Sequence, residues 1–314
     1  MNGSEPGIVD PSFVSVVLPT FNGRDRIAAA IESVLSQDHE QLEVLVIDDA
    51  STDDTHEVVR RIGDPRLRLL RMEANAGPYV ARDLAITEAR GKLIAFIDDD
   101  DVWLPGKLRR QVALLTAQPE VSLVHSAVRD VFPDGATRLR RLHRKANDYR
   151  VNLCQDRLAT STVVVRRSAV EDAGGFDTSL RAFGDWDLWL RVLREHRAAG
   201  IDDPLATINL RPGSIQRGSV EAFERSRKAV LDKHGDELKR LGLERRAMSL
   251  HHYAVAAKLH QAGRSLEARS RLFDSMRLQV SPEALALLMM TFLKPETSHW
   301  ARLQLRRARS MLRL

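Results

Sequence analysis

The strongest constraint on this chain is an alternation that runs through its first 126 residues. Short, β-rich apolar runs occur at 13–18 (FVSVVL), 42–47 (LEVLVI), 66–70, 93–97 (LIAFI) and 121–126. Between them lie segments with helical spacing. These are 26–36, with Ile27, Ile31, Val34 and Leu35 on one side, then 55–62, 78–90 and 103–118. Pro105 suits the first turn of the last of these. Unbroken apolar runs indicate strands buried on both faces, and strands joined through helices run parallel. The expected fold class is α/β, a mostly parallel, Rossmann-like sheet flanked by helices.

Past residue 128 the pattern changes. Residues 129–158, with Gly135 and a run of bases, read as a long mobile connection. A strand is expected at 160–165, and Gly174-Gly175 closes a short helix. Residues 185–197 are amphipathic, with Leu188, Trp189, Val192 and Leu193 on the inner side. From 219 onward the chain reads as helices. The expected organisation is a flexible N-terminus (1–11), an α/β domain (12–218, with halves 12–127 and 128–218) and a helical C-terminal region (219–314).

Composition narrows the function classes. The 314 residues are 43% hydrophobic and 29% charged, a globular balance. The single cysteine, Cys154, excludes an internal disulfide framework and a cysteine-based metal cluster. The first residues are polar, so no secretory leader is expected. No apolar run approaches the roughly 18–20 residues of a spanning helix. The richest, 284–293, is short and carries Thr291. A cytoplasmic protein is expected. The net charge of +5, from 48 bases and 43 acids, does not point to a nucleic-acid partner. The charges are unevenly placed, however. Acids gather at 48–54 and 98–101, bases at 138–150 and 302–313.

In an open α/β sheet, ligands bind beyond the carboxyl ends of the strands. Three unusual segments fall there: Pro19-Thr20-Phe21-Asn22-Gly23, Asp48-Asp49-Ala50-Ser51-Thr52-Asp53 and Asp98-Asp99-Asp100-Asp101. Four consecutive aspartates repel one another unless solvated, protonated or bound to a cation. A solvated acidic turn is the plain reading. A hard divalent ion, Mg²⁺ or Mn²⁺, is the chemical one, because such ions take one or two carboxylates and complete their shell with phosphate and water. One of Ser51, Thr52 or Asp53 can cap the following helix.

VSVVLPTFNG, VLVIDDASTDDT, NAGPYVARDLAITEARGKLIAFIDDDD, VWLPGKL and GGFDTSLRAFGDWDLWLR occur in that order. Over residues 12–217 the chain resembles the family 2 glycosyltransferases, of GT-A fold. The resemblance implies an inverting, metal-dependent transferase that moves a sugar from a nucleotide-diphosphate donor, UDP first, to a glycan or lipid-linked acceptor. Residues 12–127 would be the nucleotide-sugar half and 128–218 the acceptor half. By position, Pro19, Thr20 and Asn22 would line the nucleotide pocket, and Asp48 would read the base. Arg82 would reach the nucleoside or diphosphate. Asp99 would contact ribose or sugar, with Asp98 as a second contact. Asp100 would hold Mn²⁺ or Mg²⁺, and Asp185 would be the catalytic base. Trp186 is either an acceptor wall or core. Where many relatives carry Glu before the base, this chain has Gly184. Asp187 could substitute, although on a helix it points away from Asp185. Arg211 falls where relatives close a loop over the donor phosphates, and Ser214 lies in the same stretch.

The basic run at 138–150 is a solvated loop or an acceptor loop for an anionic lipid or glycan. In 300–314, Trp300, Leu303, Met311 and Leu314 share one helical side, and Arg302, Arg306, Arg309 and Arg313 the other. This suits peripheral attachment to the inner, anionic face of the plasma membrane, or packing on the protein body. Two other functions use the same residues. Asp98-x-Asp100-x-Val102 also fits a haloacid dehalogenase-like phosphotransferase, and Gly184 leaves room for a non-catalytic nucleotide-sugar-binding domain.

Overall fold

A computed structural model of the chain describes residues 10–143, 145–210 and 218–292. The elements in order are β1 (Val14–Thr20), α1 (Ile27–Leu35), β2 (Leu42–Asp48), α2 (Thr55–Ile62), β3 (Leu67–Arg71), α3 (Pro78–Glu88), β4 (Leu93–Phe96) and β5 (Val102–Trp103). Then follow α4 (Lys107–Ala117), β6 (Val121–Val131), β7 (Thr137–Arg140), α5 (Tyr149–Cys154), β8 (Val164–Arg166), α6 (Arg167–Asp172), α7 (Gly184–Glu195) and β9 (Arg197–Asn209). The chain continues with α8 (Val220–Lys233), α9 (Gly235–Arg240), α10 (Glu244–Gln261), α11 (Ser265–Leu278) and α12 (Pro282–Met290). It divides into two compact units. Among the described residues, one holds 10–152 and 157–210, the other 153–156 and 218–292.

The first unit is a mixed sheet in the order β3-β2-β1-β4-β8-β6-β9-β5, with β7 paired to β6. The β3-β2-β1-β4 part is parallel, and its register sets Thr20 beside Asp48. Alternate strand residues feed two cores, as the period-2 pleat demands. Val14, Val16, Val44, Val46, Leu93 and Ala95 face Ile27 and Ile31 of α1, Val59 of α2 and Leu108 of α4. Val17, Leu45, Ile47, Ile94 and Phe96 face Ala81 and Ala85 of α3, Val170 of α6, and Trp189 and Val192 of α7. Helices α3 and α7 therefore cover the same side of the sheet. Each buried Val, Leu or Ile contributes roughly 1.5–3 kcal/mol, so register slips that exchange the two faces are strongly disfavoured.

Three expectations are corrected. The helix expected from residue 103 starts at Lys107. Gly106 takes a left-handed turn (φ 79°), and Val102–Trp103 pairs with β9 instead. The stretch 129–158 is not an unstructured connection. It extends β6, adds β7 and ends in α5. Asp130, buried on β6, draws Arg138 and Arg140 of β7 onto its carboxylate, which removes two bases from the predicted anionic-acceptor loop. The long strand β9 begins where the helix was expected to end. Asp202-Asp203-Pro204 resembles a loop in sequence, and the β6–β9 ladder absorbs it through register shifts at Ser126–Ala127 and Ala127–Val128.

Among its described residues the regular elements of the second unit are all helices. Val220, Val255, Leu259, Leu272 and Leu287 form its core. The Ser219 hydroxyl caps α8 and the Ser281 hydroxyl caps α12, each accepting from a backbone N–H three residues on. No described helix is long and apolar enough to cross a membrane.

Candidate active site

The first two strand-end loops are tied to each other. Asn22 sits in a left-handed conformation (φ 48°), its N–H donating to Ser51 Oγ (2.9 Å) and its Oδ1 accepting from Thr52 N–H (2.8 Å). Pro19 is buried inside β1, in register with Ile47. Asp48 is wholly buried. Its Oδ1 accepts from Ser51 N–H (2.8 Å), while its Oδ2 lies 3.7 Å from Arg71 Nε and has no hydrogen-bond partner. A buried acceptor without a donor is costly, and the Arg71 charge offsets part of that cost here. Asp49 behaves differently. Its two oxygens accept from Ala76 and Gly77 N–H, both at 2.8 Å, and so fix the start of α3.

The four aspartates after β4 point into separate networks. Asp99 spends both oxygens within the protein: Arg26 donates to Oδ1 (2.8 Å) and Oδ2 (2.9 Å), and Thr20 Oγ1 donates to Oδ2 (2.6 Å). This bidentate clamp ties the third loop to the first. Asp101 is buried, with Oδ2 accepting from Ser161 Oγ (2.5 Å) and Oδ1 from Asn209 N–H (3.2 Å). Burial, then the neighbouring Asp98 and Asp100 charges, push its carboxyl well above the usual range. Asp98 is ion-paired to Arg82, and its side chain is 41% exposed. Asp100 is half-buried, and its carbonyl accepts from Asn209 Nδ2 (2.5 Å).

Arg82 on α3 pairs with Asp98 at this end of the sheet and feels the charge of Asp185 on α7. Burial opposes its charge, yet Asp98 and then Asp185 outweigh burial and raise its proton affinity. Its guanidinium lies 5.6 Å from the Tyr79 ring centroid and 5.8 Å from that of Phe176, and its Nε is buried without an acceptor. Asp185 stands in the first turn of α7, after Phe183 in a left-handed conformation (φ 63°). Thr160 Oγ1 donates to its Oδ2 (2.6 Å), and Trp186 N–H to its Oδ1 (3.0 Å).

Of the two readings of Trp186 the structure gives core: it is 1% exposed, and its indole N–H donates to the Asn152 carbonyl (2.8 Å). Asp187 is fully buried and paired with Arg191 (2.7 Å), so it does not replace a missing acceptor carboxylate. Arg211 and Ser214 lie outside the described residues. Arg26, Thr160, Ser161 and Asn209 were missed. Arg26 had a signal, a base four residues after Asn22 in a loop opposite four acids. The others lie far away in sequence and reach the site by topology.

A model of the family described as glycosyl transferase family 2 matches residues 15–173, half of the chain. The chain belongs to glycosyl transferase family 2. The Escherichia coli enzyme WfaP, a UDP-Glc:alpha-D-GlcNAc-diphosphoundecaprenol beta-1,3-glucosyltransferase, is 27% identical over 254 residues, covering 77% of this chain and 92% of that protein. The fold resembles that of S. aureus TarS, solved with UDP-GlcNAc, at TM-score 0.64 and 19% identity, covering 92% of this chain and 87% of that one. It also resembles the Pyrobaculum calidifontis mannosyltransferase PcManGT, solved with GDP-Man and Mn2+, at TM-score 0.57 and 24% identity, covering 91% and 82%. The protein is thus a glycosyltransferase of GT-A fold, with a helical C-terminal region. This membership displaces the phosphotransferase reading of Asp98-x-Asp100-x-Val102. In this transferase the acidic segment follows β4 and is divided among Arg82, Arg26, Thr20 and Ser161.

A divalent cation fits the donor set as a shared ligand. Among the described residues no group of three or more His, Cys, Asp or Glu could hold a metal ion unaided. One carboxylate completed by a diphosphate and water is an ordinary shell for Mg²⁺ or Mn²⁺.

Proposed function

We propose that the transferase is a metal-dependent, inverting enzyme of surface-polysaccharide or glycolipid assembly that moves a sugar from a UDP-linked donor to a glycan or lipid-linked acceptor. The observation that carries this is Arg82, set between Asp98 on the donor side and Asp185 on α7. One buried cation thereby pairs with Asp98 and feels the charge of Asp185, the carboxylate that acts as base in this reading. The names of WfaP and TarS, with their UDP sugars, support a UDP donor. The WfaP name supports an acceptor on a lipid diphosphate.

In this reading, Asp48 Oδ2 accepts the ring N–H of uracil. Asp98 takes the ribose contact, and Asp99 holds the Pro19–Gly23 loop in place. Asp100 would hold Mn²⁺ or Mg²⁺, which supplies positive charge against the departing diphosphate. Asp185 takes the proton from the acceptor hydroxyl as its oxygen forms the new bond to the anomeric carbon. The bond from that carbon to the nucleoside diphosphate breaks on the opposite face, so configuration inverts. Thr160 donates to Asp185 and fixes its orientation.

Isothermal titration with UDP, GDP and dTDP, each with and without Mn²⁺, tests the donor site. Binding of UDP that requires the metal and is lost in Asp100→Ala is the expected result. Failure of a folded protein to bind any nucleotide would refute it. Loss of turnover in Asp185→Asn, with nucleotide binding retained, is expected of the base.

The second partner in this reading is an anionic membrane surface. Leu266, Phe273, Leu285, Met289 and Phe292 are exposed on and beside α11 and α12, and the sequence that follows carries Arg302, Arg306, Arg307, Arg309 and Arg313. Apolar side chains beside clustered bases suit an anionic lipid interface. The segment 300–314 lies outside the described residues. Full-length protein should sediment with anionic vesicles and not with neutral ones.

A further inference from the structure

Gly184 opens α7 immediately before Asp185. A Cβ added there would meet Cδ2 and Cε2 of Tyr79 at 2.9 Å and its Cγ at 3.0 Å. Carbon atoms do not approach so closely, and the ring has no room to retreat. It stacks on Phe176, with centroids 5.7 Å apart and planes at 16°, and Phe176 sets its edge against Phe96 at 5.9 Å. The Arg82 guanidinium, one helical turn on, lies 5.6 Å from the Tyr79 centroid. Tyr79 also belongs to the first turn of α3, the turn that Asp49 fixes through Ala76 and Gly77. The ring is held on its face, along its helix and at its backbone.

We propose that Tyr79 and Gly184 form one device: the Tyr79 ring takes the space of a side chain at position 184, walls the acceptor subsite beside Asp185 and positions that carboxylate. This rests on the reading of Asp185 as the base. The chemical difference is one of charge and polarity. Burial, then the nearby Asp185 carboxylate, push the Tyr79 hydroxyl above the usual phenol range, so it stays protonated and neutral. A carboxylate at 184 would place a second negative charge beside the base, and it would compete with Asp98 for Arg82. The groups that face Asp185 are Tyr79 and Arg82 from α3 and the Thr160 hydroxyl. On its own helix, Asp187 is neutralised by Arg191. The subsite next to the base therefore lacks a second carboxylate at position 184, and the Arg82 guanidinium faces it as a cation. It suits an acceptor that presents oxygen acceptors, including anionic ones, near the hydroxyl that reacts.

The test uses five full-length variants: Tyr79→Phe, Tyr79→Ser, Gly184→Glu, the double Tyr79→Ser/Gly184→Glu, and Asp185→Asn. Melting temperature, UDP affinity with Mn²⁺ and UDP release from UDP-glucose are measured for each. Gly184→Glu should lower the melting temperature sharply, and Tyr79→Ser in the same chain should restore most of that loss, a coupling reserved for residues in contact. Tyr79→Phe should keep the melting temperature and UDP affinity while lowering kcat about tenfold, because it removes the hydroxyl's hydrogen bond to the Gly184 backbone, which holds the turn that carries Asp185. Equal damage from Gly184→Glu in the wild-type and Tyr79→Ser backgrounds would overturn the shared-volume claim. A Tyr79→Phe enzyme with undiminished kcat would overturn the positioning role. Coupled melting temperatures together with full turnover in Asp185→Asn would locate the error in the base assignment and leave the Tyr79–Gly184 contact standing.

Discussion

The two acidic strand ends differ in where their partners come from. After β2, Asp48, Asp49 and Asp53 are held largely by backbone N–H groups: Ser51 for Asp48, Ala76 and Gly77 for Asp49, Thr55 for Asp53. After β4, the partners are side chains from distant elements: Arg26 and Thr20 for Asp99, Arg82 for Asp98, Ser161 for Asp101. The first arrangement shapes a loop and leaves one buried oxygen, Asp48 Oδ2, without a hydrogen-bond donor, the atom proposed to read the base. The second joins elements far apart in sequence and spends most of its charge doing so. A count of acids does not distinguish them. The donors around each acid do.

Substitutions can separate the two modes. Arg26→Ala should have the largest effect, since it leaves the buried Asp99 carboxylate without its guanidinium. Losing one partner of such a pair costs about 3 kcal/mol. A marked fall in melting temperature and at least tenfold weaker UDP binding are expected, by calorimetry and titration. Asp48→Asn comes next. The amide oxygen still accepts from Ser51, so the fold persists, but a donor replaces the free acceptor. UDP affinity should fall by about 1–3 kcal/mol, the cost of an unsatisfied buried group. Unchanged affinity would show that Asp48 does not read the base. Asp49→Ala should orphan two backbone donors and lower stability by about 1–2 kcal/mol, with UDP affinity changed less than in Asp48→Asn. The smallest effect concerns pH. Burial would raise the Asp53 carboxyl, but the Thr55 hydroxyl and N–H, with Arg24, hold it below the usual range. Its folded pKa lies below the unfolded value of about 3.9, so its stabilisation is present above that pH and is lost as pH falls through the folded value. Melting temperatures followed into the acid range should decline slightly more steeply in the wild type than in Asp53→Asn.

Much of this architecture was legible. Runs such as VSVVL and LEVLVI carry the two-sided burial of a parallel sheet, and the acids were correctly placed at strand ends because strand order and helix order fix those ends. The acceptor side was harder to read. β9 contains Asp202-Asp203-Pro204, which local propensity assigns to a loop, and only pairing with β6 makes it a strand. Trp186 and Asp187 look like site residues in GDWD, but helical geometry turns both into the core, where Asn152 and Arg191 receive them. The role of Arg26 depends on a partner 73 residues away, and that of Tyr79 on one across the sheet face. Such contacts follow from topology, which a single sequence states weakly.

The ties among Asn22, Thr52, Arg26 and Asp99 have a consequence for how this enzyme can be altered. The three strand-end loops do not vary as separate modules. A loop grafted from another transferase into one of the three positions would arrive without the partners that hold it, and the other two would lose theirs. If these loops hold the donor as proposed, exchange of donor preference by recombination has to move all three together, with the residue at the start of α1 that carries the connecting guanidinium.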